Sequence, residues 1–418
     1  MAQLSDDCFA FGGPLMGLDE ALGTIAERAA PLTERETVKL RVAAGRILAE
    51  DIRAPRDVPP HDNSAVDGYA VFHDDLASSG RTVLPVVGRA AAGHPFPRAL
   101  NRGEALRIFT GAPMPEGPDT VLMQEDCVVE GERICLPPGI RRGANRRRAG
   151  EDVKAGEVVL RTGTRLRPQE IGLAASLGCA ALPVFARLRV AVLSTGDEVR
   201  DPGAPLPAGG IYDANRHALI GLLEGLGCAV TDLGIVPDRL DAIRGALGKA
   251  AAGHDLVVTS GGMSTGEEDH MKAAVEGLGA LHFWRLAIKP GRPVALGQIG
   301  RVPFIGLPGN PVAVMVTFLL LARPLILRLA GAIETTPRAY PVKADFAYRK
   351  KAGRREFVRA SLAAVPGALP VATKFPRDGA GILSSMTQSD GLVMLGEELT
   401  QLAPGDIVPF LPFSELLG

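Results

Sequence analysis

Apolar and polar positions change period several times along this 418-residue chain. Between Met16 and Ala30 the spacing of Leu18, Leu22, Ile25 and Ala26 predicts a helix, and Leu40 to Leu48 predicts a second short one. From about Glu50 to Gly150, short alternating runs such as VLPVV, LRIF and TVLM stand between prolines and glycines, the pattern of a small β domain. Gly156 to Pro183 returns to the earlier style with a strand and a helix, so one domain is inserted into another. From Leu188 the pattern is regular. Strands RVAVLST, AVTDLGIV, LVVTS, LHFWRLAI and VPFIGL are interleaved with helices NRHALIGLLEGLG, RLDAIRGALGKAAAG, EDHMKAAVEGLG and PVAVMVTFLLLA. Near-continuous apolar strands between helices predict a mostly parallel sheet covered on both faces, a three-layer α/β domain. After Thr336 the alternation stops, and KADFAY, EFVRASL, LPVAT, GLVML and DIVPFLPF predict a C-terminal β domain.

The run VAVMVTFLLLARPLILRL from Val312 is the one membrane-like stretch, but Arg323, Pro324 and Arg328 interrupt it well short of ~20 apolar residues. It predicts a buried helix, capped by Asn310 with Pro311 in its first position.

Bulk properties narrow the function mainly by exclusion. The chain is 46% hydrophobic and 22% charged with formal net charge −1, which carries neither a nucleic-acid footprint nor a polyanionic surface. Cys8, Cys127, Cys135, Cys179 and Cys228 are scattered without a C-x-x-C, and the histidines form no H-x-x-x-H, so no dedicated zinc site is expected. The odd cysteine count fits a reducing compartment, and the acidic start MAQLSDDCFAFGG lacks the charge and apolar core of a signal peptide. A cytoplasmic protein with no nucleic-acid or membrane partner is expected.

Candidate chemistry gathers where the strands end, since ligands of open α/β sheets bind outside the carboxyl ends of the strands. The first strand delivers Ser194 to Glu198, the next Asp238. LVVTSGGMSTGEED delivers Ser260, Gly261, Gly262 and an acidic run ending in Asp269. AIKPGRPV carries Lys289 and Arg292, preceded by Arg285, and IGLPGNP carries Pro308, Gly309, Asn310 and Pro311 into a helix N-terminus suited to an anion. Glycine turns let backbone N–H groups approach an oxyanion, lysine and arginine can hold one, and carboxylates such as Glu198, Asp238 or Asp269 can share Mg²⁺ with a phosphate. Each position also has a plain structural explanation. Glu267, Glu268 and Asp269 can complement a helix dipole, Asp197 or Glu198 can cap a turn, Asp238 can follow Pro237 in a β-turn, and Lys289 can be an exposed strand end.

A second polar cluster lies in the inserted segment. HDNSAVDGYAV places Asp62, Asn63, Ser64 and Asp67 in a turn before a strand, and RIFTGAPMP places Thr110 in another. Turn residues of these types ordinarily bond their own backbone. Asp67, ahead of Gly68 and Tyr69, is harder to explain in that way. The run Arg146, Arg147, Arg148 before Asp152 reads as a solvated loop or as part of the same site.

Taken in order, DNSAVDGYAV, RIFTGAPMP, NRRRAGEDV, LSTGDEV, TSGGMSTGEED, AIKPGRPV and GLPGNPVAV, with LSSMTQSDGLVML near the end, resemble the MoeA / gephyrin E-domain family of molybdopterin molybdenumtransferases from about Gly17 onward. The resemblance implies a multidomain α/β plus β subunit. Its parts are a discontinuous elongated linker domain (14–49 and 151–186), the inserted β-rich domain (50–150), the α/β molybdopterin-binding domain (187–336) and a C-terminal β-barrel-like domain (337–418). It implies a homodimer whose active cleft lies between subunits. The implied reaction takes adenylylated molybdopterin and molybdate, hydrolyses the anhydride with Mg²⁺, and releases AMP. Implied roles fall on Asp67, Thr110 and Asp152 of the inserted domain. They fall also on Glu198, Asp238, Asp269 and Lys289 of the α/β domain, with Arg285 and Arg292 as further cations, Lys289 and Arg292 on molybdate, and Glu198 and Asp269 on the metal ion. Implied protein partners are a molybdopterin adenylyltransferase and molybdoenzyme acceptors. Arg285 and Arg292 stand where relatives often carry lysine, Ala313 where a serine commonly follows PGNPV, and Val66 where methionine is common. The alternatives are a molybdopterin adenylyltransferase-like enzyme and a gephyrin-like scaffold without catalysis.

Overall fold

The computed structural model describes residues 15–261 and 270–417. The chain folds as two compact units. Glu50–Thr162 with Pro168–Ala181 form one, and the segments ending at Ala49, spanning Gly163–Arg167 and starting at Leu182 form the other.

In the first unit the alternating runs form a six-stranded sheet. Its order is Thr120–Met123, Gly68–Val71, Ala105–Ile108, Thr82–Ala90, Arg133–Leu136 and Val128–Glu130. Alternation sorts its side chains to two faces: Tyr69, Val71 and Leu122 pack on one, Ala70, Val121, Leu106 and Ile108 on the other. A third cluster joins Ala54, Val153 and Leu177 beside helix Pro168–Ser176.

The second unit holds the α/β sheet. Its elements are β1 (Arg189–Thr195), α1 (Ala214–Gly225), β2 (Ala229–Val236), α2 (Leu240–Gly253), β3 (Leu256–Ser260), α3 (His270–Leu278), β4 (Gly279–Arg285), β5 (Pro293–Ile299), β6 (Val302–Leu307) and α4 (Pro311–Leu329). Strand order is β2-β1-β3-β6-β5-β4, parallel across the first four strands and antiparallel at both pairings of β5. The pleat assigns residues to layers. Val190 and Val192 of β1, Val258 of β3 and Ile305 of β6 face α1, α4 and the N-terminal helix Leu18–Arg28. Ala191, Leu193, Val257 and Phe304 face α2 and α3. Each fully buried Val, Leu or Ile contributes roughly 1.5–3 kcal/mol, so this double-faced core dominates the stability of the sheet.

Four expectations are corrected. Leu40 to Leu48 is not a helix: a single 3₁₀ turn covers Leu40–Val42, Gly45 turns the chain at φ 74°, and Ile47 and Leu48 make β-bridges to Arg165 and Val184. The strand LHFWRLAI ends at Arg285. PVALGQI forms β5, which the sequence pattern does not announce because Gly297 and Gln298 blur its period. Finally Asn310, expected to cap α4, makes no side-chain capping hydrogen bond, although α4 runs on to Leu329 as the buried-helix reading expects. The helix passes Arg323 and Pro324 by widening into a π turn at Phe318–Ala322, which accommodates a residue that lacks an N–H and crowds the preceding turn. Although long and apolar enough to span a membrane, α4 is 83% buried within the protein, as a core helix is.

The C-terminal sequence forms β7 (Tyr340–Ala344), β8 (Arg355–Ala363), β9 (Val371–Lys374), β10 (Gly391–Leu395) and β11 (Ile407–Pro412). The order β8-β9-β7-β11-β10 closes through β10 against β8, a small barrel around Val342, Val358, Val393 and Phe410. Between β4 and β5 the chain crosses to this barrel, where Ile288–Lys289 pairs in parallel with Arg355–Glu356 of β8.

Candidate functional site

A cleft of ≈ 480 Å³ opens where the carboxyl ends of β3 and β6 meet β8 of the barrel. Its α/β wall is made of Glu198, Gly261 and the turn Pro308–Gly309–Asn310, and its barrel wall of Tyr348, Glu356, Arg359 and Asp378. Lys289 lies on the crossing strand between them. Backbone conformation requires glycine here. Gly261 has φ 81°, a left-handed conformation that side chains disfavour. Helix α4 begins on this wall, but its first donors are largely taken: Pro311 has no N–H, and the Val312 N–H donates to the Ala380 carbonyl at 2.9 Å.

The two cations of the cleft are held differently. The Lys289 ammonium donates to Glu356 Oε2 at 3.2 Å and to Tyr348 Oη at 3.4 Å, with its side chain 48% exposed. Glu356 is 1% exposed and also accepts from Tyr348 Oη at 2.8 Å and Arg354 Nε at 2.8 Å. Burial alone would raise the Glu356 carboxyl, but the bonds from Tyr348 and Arg354 and the charge of Lys289 overcome it and hold the group below its ordinary range. Burial and the same carboxylate push the Tyr348 phenol up, so it stays a donor. Arg359, only 8% exposed, donates to Ser385 Oγ and the Gly379 carbonyl, each at 3.1 Å. Among the described residues no carboxylate forms a salt bridge with its guanidinium; burial lowers its pKa, and the charge of Asp378 on the same wall offsets part of that. A buried cation with no direct salt-bridge partner, lining a cleft, has donor capacity left for an anion from outside.

At the sheet edge the hydroxyls of Ser194, Thr195 and Thr259 are buried and find no partner among the described residues. Buried polar atoms are ordinarily satisfied, so their presence at the carboxyl ends of β1 and β3 fits a polar ligand.

The cleft thus gathers Glu198, Gly261, Lys289, Pro308, Gly309 and Asn310 from the sequence-derived set. Ser260 is buried at the end of β3, Asp238 is half-buried after β2, Arg285 and Arg292 are exposed beside the β4–β5 edge, and Pro311 opens α4; none of these five lines the cleft. Gly262 and Asp269 lie outside the described residues, as do Glu267 and Glu268. Tyr348, Glu356, Arg359 and Asp378 were missed. The one signal for them is charge inside the strand REFVRASLA, where the fold buries Glu356 and Arg359 on a barrel strand.

In the first unit the two inserted motifs are clipped together. Asp67 Oδ1 accepts the Thr110 N–H at 2.8 Å, which holds the Asp67 carboxyl below its usual range, and Gly111 N–H donates to the Ser64 carbonyl at 2.8 Å. Arg146 is no free loop charge: its strand pairs with Asn63–Ser64 and its guanidinium pairs with Asp62, which also takes the Ala149 N–H at 2.7 Å. Arg147, Arg148, Thr110 and Asp152 are exposed.

For a divalent cation the described residues offer no group of three metal-ligating side chains. Glu198 is the carboxylate of the α/β wall, exposed and with no side-chain hydrogen bond among the described residues. One open carboxylate fits Mg²⁺, which keeps several waters and shares substrate phosphates.

Comparison with known proteins agrees with this arrangement. Residues 16–178 match the MoeA N-terminal region (domain I and II), 191–328 a probable molybdopterin binding domain, and 341–413 the MoeA C-terminal region (domain IV). The chain is 41% identical to a molybdopterin molybdenumtransferase of Haemophilus influenzae over 97% of this chain and 100% of that protein. It is 35% identical to one from Nostoc over 87% and 85%. The crystal structure of a molybdopterin biosynthesis MoeA protein from Pyrococcus horikoshii superposes with a TM-score of 0.82 and 30% identity, covering 96% of this chain and 100% of that one.

Proposed function

The chain belongs to the MoeA family of molybdopterin molybdenumtransferases, transferases of molybdenum cofactor biosynthesis, and from that premise we propose how its cleft works. The substrates are adenylylated molybdopterin and molybdate. The anhydride is hydrolysed, AMP leaves, and molybdenum passes to the dithiolene sulfurs. The observation that carries the proposal is the presence of two cations on one cleft floored by glycine turns: the buried Arg359, which has no direct salt-bridge partner among the described residues, and the half-exposed Lys289.

Lys289 and Arg359 hold the molybdate oxyanion, Arg359 as a fixed donor and Lys289 by leaving Glu356. Gly261, Gly309 and Asn310 present backbone to the pterin side. Glu198 would hold Mg²⁺ together with Asp269 outside the described residues. Bound there, the ion neutralises charge on the phosphoanhydride and assists its hydrolysis. Catalysis is then positioning and electrostatics, which phosphoryl chemistry mostly requires.

The domains proposed are 14–49 with 151–186, 50–150, 187–336 and 337–418. In the proposed homodimer the inserted domain of one copy gives Asp67, Thr110 and Asp152 to the cleft of the other, and the enzyme works in the cytoplasm. The test is molybdate-dependent AMP release from adenylylated molybdopterin, with and without Mg²⁺. Release that is independent of molybdate, or conversion of molybdopterin and ATP to the adenylylated form, would refute the proposal in favour of an adenylyltransferase.

A further inference from the structure

Two side chains at the start of α1, neither of them lining the cleft, reach both parts of its α/β wall. Arg216 is 3% exposed and is held by three carboxylates: Asp213, at 2.9 Å from Nε, and Asp201 and Asp232 on the two remaining nitrogens. Asp213 also caps α1 by accepting the Arg216 N–H at 3.0 Å. Asp201 and Asp213 each directly follow one of the two paired strands of the flap that carries Glu198. In that flap Val199–Arg200 pairs with Ile211–Tyr212, the Ile211 N–H donates to the Glu198 carbonyl at 2.9 Å, and the Asp213 N–H donates to the Arg200 carbonyl at 2.9 Å. One residue before Arg216, Asn215 Nδ2 donates to the Gly309 carbonyl at 2.7 Å. The flap has no other side-chain anchor to the sheet among the hydrogen bonds of the described residues. Its remaining side-chain bonds, from Arg200 to Asp197 and Val199 and from Tyr212 to Ala204, stay within it.

We infer that Asn215 and Arg216 are positioning residues: Arg216 fixes the flap that presents Glu198, and Asn215 fixes the Pro308–Gly309–Asn310 turn opposite it. A guanidinium suits the first task because it meets three carboxylates in fixed directions, which an ammonium cannot reproduce. A lone amide donor suits the second because it sets the plane of one peptide. The kinetic part of this inference rests on the activity proposed above; the structural part does not.

The test combines amide exchange on the substrate-free protein with steady-state kinetics. Asp201 is 57% exposed, so Asp201→Asn keeps the fold even if Arg216→Lys does not. Both variants should speed exchange of the Ile211 and Asp213 amides by about tenfold, as local opening predicts, while the β1 and β3 amides stay protected. They should lower kcat for AMP release more than they raise KM for molybdate. Combined with Glu198→Gln, Asp201→Asn should add almost nothing, since both act through one carboxylate. Asn215→Asp should be worse than Asn215→Ala, because it sets an acceptor against the Gly309 carbonyl, whereas loss of packing alone would make the isosteric change the milder one. Wild-type exchange at Ile211 and Asp213 in both Arg216→Lys and Asp201→Asn would overturn the flap assignment, as would full multiplicativity with Glu198→Gln. Asn215→Asp no worse than Asn215→Ala would overturn the Asn215 assignment. If the wild-type protein releases no AMP, the proposed activity fails, and the exchange rates still decide the positioning of the flap.

Discussion

Replacing Glu356 by glutamine has two effects on oxyanion binding, both of the same sign and of unequal size. The carboxylate tethers Lys289 at 3.2 Å, so its loss frees the ammonium; it is also an anion inside a cleft proposed to bind an anion. The tether is worth little, because the Lys289 side chain is 48% exposed and such pairs contribute about 1 kcal/mol or less. An oxyanion on Lys289 would sit roughly 6 Å from Glu356, and a dianion there meets about 1.5–3 kcal/mol of repulsion at an effective dielectric of about 40–80. Relief of repulsion is the larger. Glu356→Gln should therefore bind molybdate about tenfold to a hundredfold more tightly by equilibrium titration, while AMP release slows because the oxyanion is held too well. Stability should fall by only about 1–2 kcal/mol, less than for an isolated buried charge, because Lys289 and the partly exposed Arg354 can both reach water and the amide still accepts from Tyr348. The pH dependence has a definite sign. A carboxyl held below its ordinary value contributes fully above the unfolded pKa of about 4.3 and loses that contribution as pH falls through the lowered folded value. The variant should accordingly show a flatter acid limb in thermal melts. Unchanged or weaker molybdate binding would refute the competition between Glu356 and the oxyanion.

Arg359→Met should weaken molybdate binding by about tenfold to a hundredfold, the worth of a charged hydrogen bond, yet leave the melting temperature equal or higher, because a desolvated cation leaves the barrel wall; a large loss of stability would mark it as structural. Asp67→Asn keeps the acceptor for the Thr110 N–H and removes only the charge, so turnover should drop about a hundredfold with the fold of the first unit intact by circular dichroism. Ala313 lines the cleft, and Ala313→Ser should lower the KM for molybdate about threefold to tenfold without altering the melt, as one added donor to an anion would.

The strands Arg189–Thr195, Ala229–Val236, Leu256–Ser260 and Val302–Leu307 could be bounded to the residue from the pattern alone. Three of them are the buried interior of a parallel sheet, where both faces are apolar and turn residues mark the ends sharply. Where tertiary context sets the conformation, the pattern alone does not decide it. Pro293–Ile299 is a strand because β4 and β6 flank it, and α4 persists past Pro324 because it is enclosed on most sides and can widen by a π turn.

The site divides along the same physical line. Its α/β wall could be read because a parallel sheet sends every strand end to one edge, so Glu198, Gly261 and Gly309 are neighbours by topology before any contact is known. The barrel wall has no such rule. Lys289 meets Glu356 across 67 residues of sequence, through two residues that leave one sheet and pair with another. Nothing local in AIKPGRPV specifies that transfer. It follows from β4 ending at Arg285 and from Ala287 bonding both Met16 and Arg355 through its backbone, which directs the crossing strand onto the barrel. Cation and counter-ion are therefore brought together by the assembly of the sheet and the barrel. It follows that the competition between Glu356 and a bound oxyanion is a property of that assembly, and that changes at the backbone junction around Ala287 should shift oxyanion affinity without touching a charged group.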